Sequence, residues 1–230
     1  MEQTQQIKII DRVNLTKDGL FVKGTKQEIH LQQGSLDGAC AVYSMMMCLI
    51  MNKVILRRDV ADLYFSHDGR SSNGRLVRLF LEQQGLIRNG YDFISLKADL
   101  YNTSRKRVNV SCCVTKFYAE TNGIIPKEEF EIKTTLNEDI IKSLDSNKPV
   151  EIGFTRKKDK SGHAIVVIGY AENQKNVSFF CLDPRFDLPK GHFWNNILQV
   201  NMDSTAIYNC VNYQEESVVT IDQLLLFEPK

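Results

Sequence analysis

The chain has 230 residues, a formal net charge of +1, 43% hydrophobic and 25% charged residues, the make-up of a soluble globular protein with a sizeable core. This near-neutral balance argues against nucleic acid or an anionic membrane surface as partner, and the longest apolar stretch, 39–51, is too short to span a bilayer. The opening Met1-Glu2-Gln3-Thr4-Gln5-Gln6 lacks the basic and apolar regions of a signal peptide, so a cytoplasmic protein without membrane insertion is expected, a specialised secretion route staying open.

In chain order, residues 27–31 read as a strand carrying His30. The small, polar stretch Gln33-Gly34-Ser35-Leu36-Asp37-Gly38-Ala39-Cys40 then gives way to a run, 41–51, that is apolar on nearly every side. Such a run predicts a helix buried in the core. Cys40 falls in its first turn, where free backbone N–H groups and the positive end of the helix dipole favour a thiolate. A small buried cysteine is the plainer alternative. Cys48, two turns on, reads as buried and inert. Helical segments are expected at 57–64 and 73–84. The second carries Leu76, Leu79, Phe80 and Leu81, with Asn73 as N-cap and Gly85 as C-cap, after a turn at 69–72.

The second half reads as strands. Residues 108–118 mix β-branched and aromatic side chains, with Cys112 and Cys113 on opposite faces. A helix over Asn137–Asp145 opens at an Asn cap and stops before Asn147-Lys148-Pro149. Strands follow at 150–155, 163–170, 177–182 and 218–227. Helices first and strands later predict an α+β fold, helices packed on one antiparallel sheet. No linker divides the chain, so one domain over 1–230 is expected. The six cysteines form no CxxC pair and no zinc-type spacing. No cofactor or metal is expected.

Thiol catalysis needs a base within hydrogen-bond reach and a group that orients it. Of the four histidines, His163 opens a strongly apolar strand at the mouth of the sheet. His30 is a candidate for lining the cleft, while His67 and His192 fall in polar turns. Centring the hairpin on Asn173 sets position 163 opposite position 183. Asp183 is then placed to accept from one imidazole nitrogen and leave the other for the thiol. The plainer alternative is an edge histidine beside a turn-forming aspartate. Gln33, across a Gly-rich turn from Cys40, is a candidate oxyanion donor with the Cys40 N–H, a role worth about 3–4 kcal/mol. Gln32 is an equally available amide. The basic loop 156–160 reads as a solvated hairpin tip.

The order Gln33, Cys40, His163, Asp183 resembles the papain-like cysteine peptidases, and most closely the bacterial branch that processes double-glycine leader peptides. The residues that carry it are Gln33-Gly34 with Gly38-Ala39-Cys40, the strand Gly162-His163-Ala164-Ile165-Val166-Val167-Ile168-Gly169-Tyr170, and Leu182-Asp183-Pro184, preceded by the step Lys148-Pro149-Val150-Glu151-Ile152-Gly153-Phe154. The resemblance covers roughly 31–184 and leaves 191–230 as a C-terminal extension. The spacing from Gln33 to Cys40 is one residue longer than in the plant enzymes, and the aromatic that often follows the nucleophile is replaced by Ala41-Val42. The resemblance implies a papain-like fold, in which a helical lobe bears the thiol and a sheet lobe bears the base. It also implies a Cys40–His163–Asp183 triad with Gln33 and a protein or peptide substrate cleaved at a peptide or isopeptide bond. Two further readings stay open: a thiol deamidase or transglutaminase-type acyltransferase, and a non-catalytic peptide-binding module. Oligomeric state is not legible in the sequence.

Overall fold

The computed structural model describes residues 7–34, 38–61, 70–83, 90–124, 130–172, 176–201, 204–211 and 215–230. The expected helices against an antiparallel sheet are present. Helix α1 (Cys40–Met51) is buried along nearly its whole length. Short α2 (Arg58–Ala61) and α3 (Ser72–Val77) follow, α3 running into a π-helical turn over Arg78–Gln83. Ser71, not Asn73, caps α3: its hydroxyl accepts from the Gly74 N–H at 2.9 Å. Asn73 instead donates to Asp59 at 3.0 Å. The expected Gly85 cap, Asp37 and His67 lie outside the described residues.

Helix α4 (Phe93–Ser104), capped by Asp92, was not expected from the sequence. Only Phe93, Leu96, Leu100 and Ser104 of its twelve residues are buried, so its apolar stripe is too narrow to stand out. The strand expected over 108–118 ends early, as β4 (Val108–Thr115), because the Thr115 side chain caps α5 (Lys116–Thr121). Helix α6 (Asn137–Asp145) has the expected bounds, although its N-cap is Leu136 and makes no side-chain cap bond. Ile140 and Leu144 of α6 are fully buried and contribute about 2 kcal/mol each by area. Beyond it Asn147 takes φ +60°, a left-handed geometry that asparagine tolerates and that ends the helix.

Three N-terminal strands were not expected: β1 (Ile7–Ile9), β2 (Val13–Thr16) and β3 (Gly19–Val22). Around His30 the expected strand is reduced to one bridge, Phe21 with Glu28. The remaining strands are β5 (Glu131–Lys133), β6 (Val150–Arg156), β7 (Gly162–Glu172), β8 (Val177–Leu182), β9 (Asn196–Val200), β10 (Thr205–Cys210) and β11 (Glu215–Pro229). Strands β6, β7, β8, β9, β10 and β11 pair in that order, and β11 returns to β6. The ring is closed. Residues beyond 191, set apart by the sequence reading, therefore supply β9, β10 and β11 of the same ring. The long β11 leaves β10 in its first half and pairs with β4 in its second.

Strand β1 lies on β7 at the other side, and Gly169 is required where they meet. A Cβ there would collide with the Lys8 carbonyl and the Ile9 side chain. The run Ala164–Ile168 of β7 is buried on both faces, which explains its lack of apolar/polar alternation. One face carries α1, fixed by the Ser44 hydroxyl donating to the Ala164 carbonyl at 3.1 Å. That contact sets the thiol-bearing helix against the histidine-bearing strand.

Candidate active site

Cys40 begins α1, preceded by Ala39, which offers no side-chain cap. The first-turn N–H groups are thus left to other acceptors. The Cys40 thiol is hydrogen-bonded to His163, and backbone N–H groups of Ala41 and Ala164 also point at the sulfur. Burial alone would push this thiol up. The bond and charge of His163, with those N–H groups, outweigh burial and hold Cys40 below its ordinary value. Four other cysteines behave oppositely: burial drives Cys48 and Cys181 well up, Cys112 to about 12 and Cys113 to about 11. Cys40 alone among the six is not fully buried.

His163 Nε2 donates to Asp183 Oδ1 at 2.8 Å. With Nε2 so committed, Nδ1 is the nitrogen left for the thiol. Burial disfavours imidazolium, but the Asp183 charge and hydrogen bond, with the bond to Cys40, raise His163 to about 10. Both shifts favour the thiolate–imidazolium pair over the neutral thiol and imidazole. The ring of Phe154 packs edge-on to the imidazole at 5.5 Å.

The hairpin register expected for this pair is not the one observed. Val166 lies opposite Leu182, and a bulge between Val167 and Gly169 shifts the ladder, so Asp183 follows the last paired residue of β8. The Asp183 carboxylate reaches His163 from a diagonal position, a relation that long side chains bridge. The contact is as expected; its geometry is not.

Asp183 is fully buried and its carboxylate is saturated. Oδ1 also accepts the Arg185 N–H at 2.8 Å, while Oδ2 accepts Asn196 Nδ2 at 3.0 Å and the Tyr208 hydroxyl at 2.5 Å. Burial opposes ionisation, yet the positive His163 and these donors lower Asp183 below the usual carboxylate value. Its main chain is fastened too: N–H to Asn195 Oδ1 at 2.7 Å, and C=O from Asn195 Nδ2 at 2.9 Å. His30 Nε2 donates to the same carbonyl at 3.0 Å, so His30 props the Asp183 turn and is not among the residues lining the cleft.

Asn195, Asn196 and Tyr208 were missed by the sequence reading. The alternation of inward Ala206, Tyr208 and Cys210 in β10 was legible, and an inward tyrosine needs a hydroxyl partner. Nothing local identifies that partner as Asp183, twenty-five residues away.

The Gln33 N–H donates to the Pro184 carbonyl at 2.8 Å, which ties the glutamine loop to the Asp183 turn. Its side-chain oxygen is shielded from solvent, whereas Gln32 is exposed. His192 is exposed, as is loop 157–160.

A cleft of about 420 Å³ opens at Cys40 and His163. Gly38 and Gly90 meet along one wall; a Cβ on Gly38 would lie 3.4 Å from the Gly90 nitrogen, and Gly90 has φ +63°. Tyr118, Thr155, Asp222 and Gln223 line it as well. Glu151, on β6, is fully buried with both carboxyl oxygens lacking a hydrogen-bond partner. Burial, then the nearby Cys40, drives its carboxyl well up, so it is held neutral. Among the described residues no cluster of potential metal ligands occurs, and no helix is long and apolar enough to cross a membrane.

The solved structure of UfSP from C. elegans is similar, with 12% sequence identity and a TM-score of 0.45. The alignment covers 100% of this chain and 35% of that one, so this chain spans about a third of its length. No curated protein matches the chain in sequence. The sequence profile of the Peptidase_C39 like family, however, matches residues 22–216. The chain therefore belongs to the Peptidase_C39 like family, in line with the family resemblance carried by its Gln33, Cys40, His163 and Asp183 motifs.

Proposed function

We propose that the protein hydrolyses a peptide or isopeptide bond in a protein or peptide substrate, within a single papain-like domain. The observation that supports this most directly is the hydrogen-bonded chain from Cys40 through His163 to the buried Asp183. The Cys40 thiolate attacks the carbonyl carbon, forming a C–S bond and an oxyanion. The Cys40 N–H and the Gln33 side-chain amide hold that oxyanion. Nδ1 of His163 gives its proton to the leaving amine as the C–N bond breaks, which leaves a thioester. Water then attacks the thioester as His163 takes its proton, the C–S bond breaks to return the Cys40 thiolate beside imidazolium, and the product acid leaves. Asp183 keeps the imidazole in one tautomer throughout and stays ionised.

The test is cleavage of a proteome-derived peptide library, read by mass spectrometry in heavy-oxygen water. The wild type releases products carrying heavy oxygen at the new carboxyl, and Cys40→Ala releases none while keeping its circular dichroism spectrum. A Cys40→Ala protein that still cleaves overturns the assignment.

A further inference from the structure

The cleft holds a carboxylate that the hydrolytic steps do not use. Asp222 is 3% exposed and lines the same cleft as Cys40 and His163. Its position follows from an irregularity in β11. Ile221 pairs with Phe154 and Gln223 with Gly153, so Asp222 is the extra residue of a bulge. A bulge re-aims a side chain, here so that both Asp222 and Gln223 contribute to the cleft. Gln223 is fixed by accepting the Phe93 N–H at 3.3 Å.

Asp222 accepts hydrogen bonds from the Thr155 hydroxyl and N–H, and no lysine or arginine among the described residues pairs with it. Burial pushes its carboxyl up to about 6, the response of an anion with donors but no counter-ion. Asp92 adds a second carboxylate at the rim, where its side chain caps α4. Among the described lining residues there is no lysine or arginine. A buried carboxylate without a cation costs stability unless a ligand supplies the charge.

The distance suits a substrate side chain. His163 pairs with Phe154, and Phe154 with Ile221, so the backbone at Ile221, next to Asp222, lies about two strand spacings, roughly 10 Å, from that of His163. One or two residues of extended peptide with a long side chain cover that span.

We infer that Asp222 selects substrates carrying a lysine or arginine side chain within a few residues of the scissile bond, the ammonium or guanidinium seating on the Asp222 carboxylate. This rests on the proposed thiol chemistry and adds its substrate class. It is tested with three peptidyl acyloxymethyl ketones that differ at one position near the warhead, bearing arginine, norleucine or glutamate. Labelling of Cys40 is followed by intact-protein mass spectrometry. The expected result is arginine over norleucine by about ten- to a hundredfold in labelling rate, the equivalent of one charge-assisted hydrogen bond, with glutamate slowest. Asp222→Asn, which keeps shape and polarity, is expected to bring the arginine-to-norleucine ratio close to one. Asp222→Glu is expected to retain a preference for arginine.

Equal labelling by the arginine and norleucine probes overturns the Asp222 inference and leaves the thiol chemistry standing. An arginine preference that survives Asp222→Asn also overturns it. Failure of every probe, with iodoacetamide modifying Cys40 no faster than an ordinary thiol, removes the peptidase reading itself and this inference with it.

Discussion

Replacing Tyr208 with phenylalanine removes a single oxygen from the centre of the ring of strands. The aromatic ring is retained, tilted on Phe154 at 5.3 Å, and Phe154 in turn rests edge-on against His163. What is lost is the hydroxyl donated to Asp183 Oδ2, which then keeps only Asn196 Nδ2. A hydrogen bond to a charged group is worth about 1.5–3 kcal/mol. For a chain of this size that predicts a drop in Tm of about 3–12 °C, measured by circular dichroism at about pH 7. The pH dependence carries a sign. Asp183 is held below its unfolded value, so its stabilisation is present above the unfolded carboxylate range and is lost as acid protonates the native carboxylate. The gap between wild type and Tyr208→Phe should therefore be widest near neutrality and close on acidification. Asp183 loses one of the donors that favour its ionised form, so the Cys40–His163 pair should persist but orient less well, lowering kcat more than KM. Equal Tm values at neutral pH, or a gap that widens in acid, would falsify this account of the Asp183 network.

Three further outcomes are expected. His163→Ala removes the bond and charge that offset the burial of Cys40, so the pH midpoint for iodoacetamide alkylation should rise from below to above the ordinary thiol value; an unchanged midpoint refutes the ion pair. Gln33→Ala should lower kcat about 10²–10³-fold with little change in KM, whereas Gln32→Ala should have little effect; the reverse pattern reassigns the oxyanion donor to Gln32. Glu151→Met replaces a buried, unpartnered carboxyl by an apolar side chain of similar volume and should stabilise the protein by about 1–3 kcal/mol near neutrality. Because the folded Glu151 carboxyl is raised, its penalty grows as pH rises above the unfolded carboxylate range, so the advantage of Glu151→Met should shrink in acid; thermal unfolding across pH decides it.

Local chemistry is legible in the order of residues. The unbroken apolar run after Cys40 reads as a buried helix, and its first turn places a thiol near unsatisfied N–H groups. The apolar strand behind His163 and the turn residues after Leu182 marked the two ends of a hairpin, so the members of the Cys40–His163–Asp183 chain were legible from their order, although the counted register was not the one adopted. Asn137–Asp145 was legible from its stop signal at Asn147-Lys148-Pro149, although the Asn cap expected at its start is not made. Tertiary structure decided the rest. The strands pair two residues away from the register counted about Asn173, with Val166 opposite Leu182, and His30 went to the Asp183 carbonyl at the end of that ladder. Strands β9 to β11 looked like an appendage, since nothing in a short alternating strand states which neighbour it will pair with. Closing the ring put Tyr208 and Asn196 on the Asp183 carboxylate and bulged Asp222 into the cleft. Pairing partners and bulges arise from satisfying every backbone hydrogen bond of the whole sheet at once, and that constraint is written in no single segment.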